Sequence, residues 1–237
     1  MVAPEFRFSV DLLREYSRAA LQNAGELLEE AALLYENGHA ARGYFLAVAS
    51  IEETGKALQA FDAQGRNLGD SAVTAKLRRA MEDHSQKITA AFTAMLLASS
   101  NLRNAVIPTV NLMIHLERGR EPSMYSDIRY ESSTVQTPAA MVRDSAAKDC
   151  VRLARECLTH ARKHIAEKKP EVRSQAEDQL FAMKTGQFQK IANTEGFWWY
   201  YISQLEAGKR DFAAAVVEYQ EDFASKGKTF KGPDREK

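Results

Sequence analysis

The chain has 237 residues, enough for one large domain or two small ones with a real core. Its 32 Lys plus Arg balance 32 Asp plus Glu, which excludes a basic nucleic-acid coat over the whole chain and leaves only local patches. With 45% hydrophobic and 27% charged residues, and only 12 Gly and 6 Pro, the composition is that of a globular protein and is poor in turn residues for an all-β fold. The chain opens with an amphipathic helix from Ser9 to about Asn37, in which Leu13, Tyr16, Ala20, Ala24, Leu27, Ala31 and Leu34 recur every three or four residues. Ser9 or Asp11 caps its start and Gly38 ends it. A second helix, about Ala40 to Phe61, is apolar on nearly every side through Tyr44–Ile51, which places it at the centre of a bundle. After a loop at Gln64–Asp70 comes a long helical stretch from about Ser71 to Leu116, which Pro108 should kink or break. Residues 118–137 lack helical period and are expected to form a loop or short hairpin. Thr137-Pro138 starts a fifth helix that runs to about Lys169 and stops at Pro170. Two more helical patterns follow, about Glu171–Ala192 and Glu195–Ala224, and the basic tail Ser225–Lys237 is expected to be disordered. The expected fold is all-α, an antiparallel bundle of about six helices.

No run approaches the roughly 18 apolar residues of a membrane helix, and residues 1–9 have no apolar core of a signal peptide. Cys150 and Cys157 lie on one expected helix with Cα atoms roughly 10 Å apart, too far for a disulfide. Reduced thiols and the absence of a leader lead us to expect a cytoplasmic protein without a membrane partner.

Glu52, Glu53 and Lys56 follow the most apolar run, and Gly55 among them permits close approach of another helix. They read either as helix-surface pairs on a solvated edge or as a polar network inside the bundle. Among the five histidines, His39 starts a helix, His115 lies on an apolar one, and His160 and His164 stand one turn apart, as zinc ligands do, with no third ligand tied to them. The two Glu-x-x-His repeats of a di-metal bundle are missing, so no metal or other cofactor is expected. His84 has Arg78, Arg79, Asp83 and Lys87 for company, and shares a helix face with Lys87. That neighbouring cation favours a neutral imidazole, a candidate general base. We expect Glu53, Lys56, His84 and Lys87 to form one polar cluster between the second and third helices. The aromatic run Phe197–Tyr201 points around its helix and suits a core or a dimer interface better than base stacking. Arg152, Arg155, Arg162, Lys163, Lys168 and Lys169 make the fifth helix basic, although Glu156 and Glu167 dilute it.

Three motifs in order carry a resemblance. They are Gly38-His-Ala-Ala-Arg42 with Ala49-x-x-Glu52-Glu53-x-Gly55-Lys56; His84-x-x-Lys87; and Arg120-x-x-x-Met124-Tyr125-Ser126-Asp127. Together they resemble the AbiV abortive-infection family, a branch of the HEPN helical domains, over about residues 10–165. The resemblance implies a HEPN-like core, set at residues 9–169; it does not reach the segment from 171 on, where the helical patterns give an extension at 170–224 packed on that core, followed by the tail at 225–237. It also implies a cytoplasmic phage-defence protein, a homodimer, and RNA or a phage or host protein as partner. Many HEPN proteins are metal-independent ribonucleases with an arginine four to six residues before a histidine, and two protomers bring their histidines to one phosphodiester. On that pattern the candidate catalytic residues are His84, Arg79 and Lys87, with Arg155 and His160 as a weaker match. Arg42, Glu52, Glu53, Lys56, Tyr125 and Asp127 are candidates for binding or for the polar network. Both arginine–histidine pairs are loose, since residues five apart lie roughly 140° apart on a regular helix. Two other classes of function stay open: a helical interaction protein without catalysis, and a nucleotide-binding bundle in which Lys56, Lys87 and Arg42 hold phosphates.

Overall fold

The computed structural model describes residues 7–97 and 102–232; residues 1–6, 98–101 and the end of the expected tail, 233–237, lie outside them. Among the described residues there are eleven α-helices and one two-stranded hairpin, so the all-α class holds and the expected count of six helices does not. The chain divides into two compact units. Unit 1 is 1–65 with 77–171, and unit 2 is 66–76 with 172–237.

Unit 1 is built around α2, Ala40–Ala63, which α1 (Val10–Glu36), α4 (His84–Leu97) and α7 (Asp144–Glu167) pack against. The Ser9 side chain accepts the Leu12 N–H and starts α1. At its other end His39 N–H reaches Leu34 C=O and Gly38 N–H reaches Tyr35 C=O, the paired bonds of a Schellman stop. This turn fits the structural role expected of His39 and reverses the chain into α2. Alanines at 24, 31, 47, 91, 147, 154 and 161 fill much of the core, and small side chains let the helix axes come close. Ile51, Ile88, Phe92 and Leu116 complete it, each removing enough apolar surface from water to contribute about 1.5–3 kcal/mol. Polar side chains along the α1–α2 seam are satisfied internally, Ser50 by Ala24 C=O at 2.7 Å and Ser17 by Ala57 C=O at 2.8 Å.

The stretch read as one helix from Ser71 to Leu116 is three: α3 (Ser71–Glu82), α4, and α5 (Leu102–Arg120). The expected break at Pro108 does not occur, and α5 continues through it. A proline removes one N–H and need only bend a helix that neighbours support. The break falls instead at Asp83, whose carboxylate accepts the Gln86 N–H at 3.0 Å and starts a new helix. The hairpin β1 (Asp127–Arg129) and β2 (Thr134–Gln136) pairs Ile128 with Val135. Thr137-Pro138 does begin a helix, but it is the short α6 (Pro138–Met141), and the long helix restarts as α7. Cys150 and Cys157 are buried free thiols on α7, and burial pushes the Cys157 thiol up to about 12.

Unit 2 contains α8 (Gln175–Ala182), α9 (Thr185–Ala192), α10 (Glu195–Glu206) and α11 (Phe212–Asp222). Two expected helices are thus four. Lys184 and Met183 have extended backbones between α8 and α9, and Gly208 adopts φ +80 between α10 and α11, a conformation that glycine takes without steric cost. The aromatic run forms the core of this unit: Phe197 is fully buried against Tyr219 and Phe212, and Tyr200 meets Tyr219 and Phe223. Phe230, from the segment read as a tail, packs on Tyr200 and Phe223.

Candidate functional site

Glu52 ends the apolar stretch of α2 and is 5% exposed. A buried carboxylate costs several kcal/mol unless cations and donors surround it. Three groups do so. His84 Nδ1, at the start of α4, lies 2.7 Å from Glu52 Oε2. Lys87 Nζ, one turn further along, lies 3.1 Å from the same oxygen and 3.3 Å from His84 Nδ1. Arg120 Nε, from the end of α5, lies 3.0 Å from Glu52 Oε1, pairing the charges although its N–H does not line up on the oxygen as a hydrogen bond. The Arg120 guanidinium also lies 5.6 Å from the Phe45 ring centre.

Gly55 makes this meeting possible. A Cβ at that position would lie 1.8 Å from the Lys87 carbonyl oxygen, so α4 crosses α2 against bare backbone. The crossing brings the first turn of α4 beside Glu52, one turn back along α2. Asp83 fixes where that first turn begins, and its carboxyl is held below the ordinary carboxylate range, chiefly by the backbone N–H of Gln86.

The carboxylate can only accept, so we assign His84 the tautomer with the proton on Nδ1, given to Glu52. The Nε2 lone pair is then free, and the imidazole side chain is 52% exposed. Lys87 is buried with Glu52, while Arg120 is 27% exposed. The arrangement is an oriented, accessible base over one carboxylate and the cationic side chains of Lys87 and Arg120, so its formal charge is positive. It can accept a proton and attract an anion.

Glu52, His84 and Lys87 therefore meet, joined by Arg120, which sequence reasoning quoted in a motif but did not assign. The remaining candidates are placed elsewhere. Glu53 pairs with Lys56, both half-buried, and among the described residues no contact joins that pair to His84, so the expected cluster uses Glu52 in place of Glu53 and Lys56. Burial alone would lower the Lys56 ammonium, but the hydrogen bond and charge of Glu53 outweigh it and the net direction is up. Arg79 is exposed on the last turn of α3 and its side chain makes no ion pair among the described residues. The break at Asp83 separates it from His84, so the 140° argument for a continuous helix does not apply to this pair. It does apply to Arg155 and His160, which share the unbroken α7. Arg42 is exposed in the first turn of α2, Tyr125 is 61% exposed, and Asp127 accepts the N–H of its neighbour Ile128. On the basic helix, Arg152 is paired with Asp149 and Glu156. His164 packs edge-on against Phe61, 5.7 Å between ring centres.

Among the described residues no three His, Cys, Asp or Glu side chains converge as metal ligands would, and no helix is long and apolar enough to cross a membrane. Neither the curated proteins nor the solved structures contain a match to the chain. The family model of AbiV, a HEPN family, matches residues 12–159, a span that holds nearly all of α1, the whole of α2, the Glu52–His84–Lys87–Arg120 group and most of α7. By that match the chain belongs to the AbiV family of HEPN domains.

Proposed function

We propose that the protein is an abortive-infection effector that restricts phage growth by metal-independent cleavage of RNA at the Glu52–His84 site. The observation that carries this reading is the 2.7 Å contact between His84 Nδ1 and a buried carboxylate, which leaves Nε2 available on an imidazole that is half exposed. In the proposed reaction Nε2 takes the proton of an RNA 2′-hydroxyl. The 2′-oxygen bonds to phosphorus and the bond to the 5′-oxygen breaks. The products are a cyclic phosphate and a 5′-hydroxyl, whose proton returns from the imidazolium. Glu52 stabilises that imidazolium, and Arg120, the more exposed cation, faces the charge that develops on the phosphorane. All four groups come from one chain.

A second reading is binding without catalysis. It is favoured by Arg79, which takes no part in the cluster, and by the pairing of Lys87 and Arg120 with Glu52. One experiment separates the two. The wild-type chain should cleave single-stranded RNA in the presence of a chelator, and His84→Ala should slow cleavage by about 10²–10⁴-fold and abolish protection against phage. Cleavage that is undetectable in the wild type, with protection retained in His84→Ala, rejects the catalytic reading in favour of a binding module.

A further inference from the structure

Most of unit 2 lies outside the span that the family model matches, and it has a cavity of its own, about 780 Å³ in volume. The walls are α9, the end of α11 and the chain that follows it. There Gly227, at φ +63, turns the backbone, and the Lys228 N–H returns to Phe223 C=O at 2.9 Å. Phe230 then packs on Tyr200 and Phe223, which holds this turn against the aromatic core. Lys184, Lys190 and Lys228 all line the cavity, and among the described residues no Asp or Glu does. None of the three makes an ion pair among the described residues, whereas the neighbouring Lys226 is paired with Asp222 at 3.1 Å. Ammonium groups gathered without a counter-charge repel one another, and a bound anion removes that repulsion. Tyr219, on the same wall, is 2% exposed, with its ring packed by Phe197, Tyr200 and Phe223. Its hydroxyl has no hydrogen-bond partner among the described residues. A buried hydroxyl needs a partner, and the cavity that Tyr219 lines can supply one.

We infer that this cavity binds a compact polyphosphate group, with the three ammonium groups on its phosphates and the Tyr219 hydroxyl donating to a phosphate oxygen. Lysine binds phosphate as a point charge, without the fixed fork geometry of arginine, so three lysines suit several clustered phosphates. A single phosphate carries about two negative charges at neutral pH, and a chain of two or three carries roughly three to five, which the three ammonium groups balance. The lysines converge on one concavity. A groove that follows an RNA backbone needs cations spread along a track, with aromatic faces for the bases, and here the aromatic rings are spent on the core. The volume lies within the roughly 300–1,000 Å³ of small-ligand pockets and leaves room for a body attached to the phosphates. Two sources share this chemistry: a free small polyphosphate, and the 5′-triphosphate end of an RNA. None of Arg42, Lys56 and Lys87, the phosphate ligands considered from sequence, lines the cavity. The inference does not rest on the catalytic reading.

The test is calorimetric titration of the full chain with inorganic tripolyphosphate in metal-free buffer at about 50 mM salt. One equivalent should bind with Kd below about 1 mM, and more weakly as salt rises. Lys184→Ala, Lys190→Ala and Lys228→Ala should each weaken binding by about two- to fivefold, and the triple variant by more than about tenfold. All three positions are exposed, so the far-UV circular dichroism spectrum should not change. Tyr219→Phe keeps the ring in the core and should weaken binding by about three- to tenfold. Lys148→Ala, exposed on α7, should bind as the wild type does. No binding by the wild type overturns the inference, as does affinity retained in the triple variant, or a loss in Lys148→Ala equal to that in Lys190→Ala. Unchanged binding by Tyr219→Phe overturns the role of the hydroxyl. The source is decided by two further probes, a free nucleoside triphosphate and one short RNA made with either a 5′-triphosphate or a 5′-hydroxyl. Tighter binding of the triphosphate-ended RNA than of the free compounds assigns the cavity to an RNA end, and equal or weaker binding assigns it to a free ligand. The 5′-hydroxyl RNA binding as tightly as its triphosphate form, and more tightly than tripolyphosphate, overturns the polyphosphate assignment in favour of a backbone track. None of these readouts uses RNA cleavage, so the outcome is separable from the fate of the proposed reaction.

Discussion

Glu52 is the residue on which the cluster depends. It is the only anion among His84, Lys87 and Arg120, and Lys87 is 5% exposed. Glu52→Ala would leave two cations facing each other without a counter-charge. Removal of one partner of a buried ion pair costs about 3–5 kcal/mol, and we expect a loss of that size in chemical denaturation. His84→Ala should behave differently. Its imidazole is half exposed, and Glu52 Oε2 keeps Lys87 at 3.1 Å, so the stability change should stay within about 1 kcal/mol. The pair of variants separates structural from chemical importance: Glu52→Ala should lose fold and function together, His84→Ala function alone. Equal destabilisation in the two would make His84 a structural partner of the carboxylate.

At the scale of the element, α4 is positioned at two points. Its start depends on Asp83, which accepts the Gln86 N–H. Loss of such a cap costs about 1 kcal/mol, so Asp83→Ala should lower stability by that amount and fray the turn that carries His84. The Asp83 carboxyl is held down in the folded chain, so the unfolded chain binds more protons as pH falls. The contribution of the cap is therefore complete above the ordinary carboxyl value of 3.8 and disappears as pH drops below it. Denaturation curves of wild type and Asp83→Ala should therefore differ at neutral pH and converge as the pH is lowered below 3.8. The second point is the crossing at Gly55. Gly55→Ala forces a Cβ onto the backbone of Lys87 rather than onto a side chain that could turn away. The helices must separate, at a cost of at least the ~1–3 kcal/mol of an overpacked core. The shift also pulls His84 and Lys87 away from Glu52, so loss of activity should exceed what the melting curve alone implies. A Gly55→Ala chain with native stability would show that α2 and α4 are less closely apposed than described.

At the scale of the whole molecule, the chain's two units have different kinds of core. Unit 1 is held by alanine-rich helix packing around α2, and unit 2 by aromatic contacts centred on Phe197 and Tyr219. Residues 66–76 belong to unit 2 although they follow α2 directly. One reason is Arg66, which pairs with the buried Asp178 at 2.8 Å and stacks over the Phe181 ring at 3.8 Å, while Asn67 N–H donates to the second Asp178 oxygen. Arg66→Ala strands a buried carboxylate on α8. Hydrogen exchange should rise in α8 and α11, with α1, α2 and α7 unchanged. An increase spread evenly over both units would mean that they unfold as one.

The sequence by itself determined the helical class, because apolar residues at steps of three and four admit no strand pairing over these lengths. Several ends were equally legible: Ser9 and Gly38 for α1, and Thr137-Pro138 for a helix start. The break at Asp83 was also written locally, as Asp83 followed three residues later by Gln86, a capping pattern that a run of continuous apolar period conceals. Glu52, His84 and Lys87 stood out as charges beside apolar stretches, but their spacing could not tell whether Glu52 or Glu53 faces α4. Those neighbours differ by 100° around α2, and only the crossing at Gly55 chooses between them. Arg120 was beyond local reasoning altogether. It reaches Glu52 because α5 packs on α4 and α4 on α2, and a contact between charges on separate helices is set by that packing and not by any period along the chain.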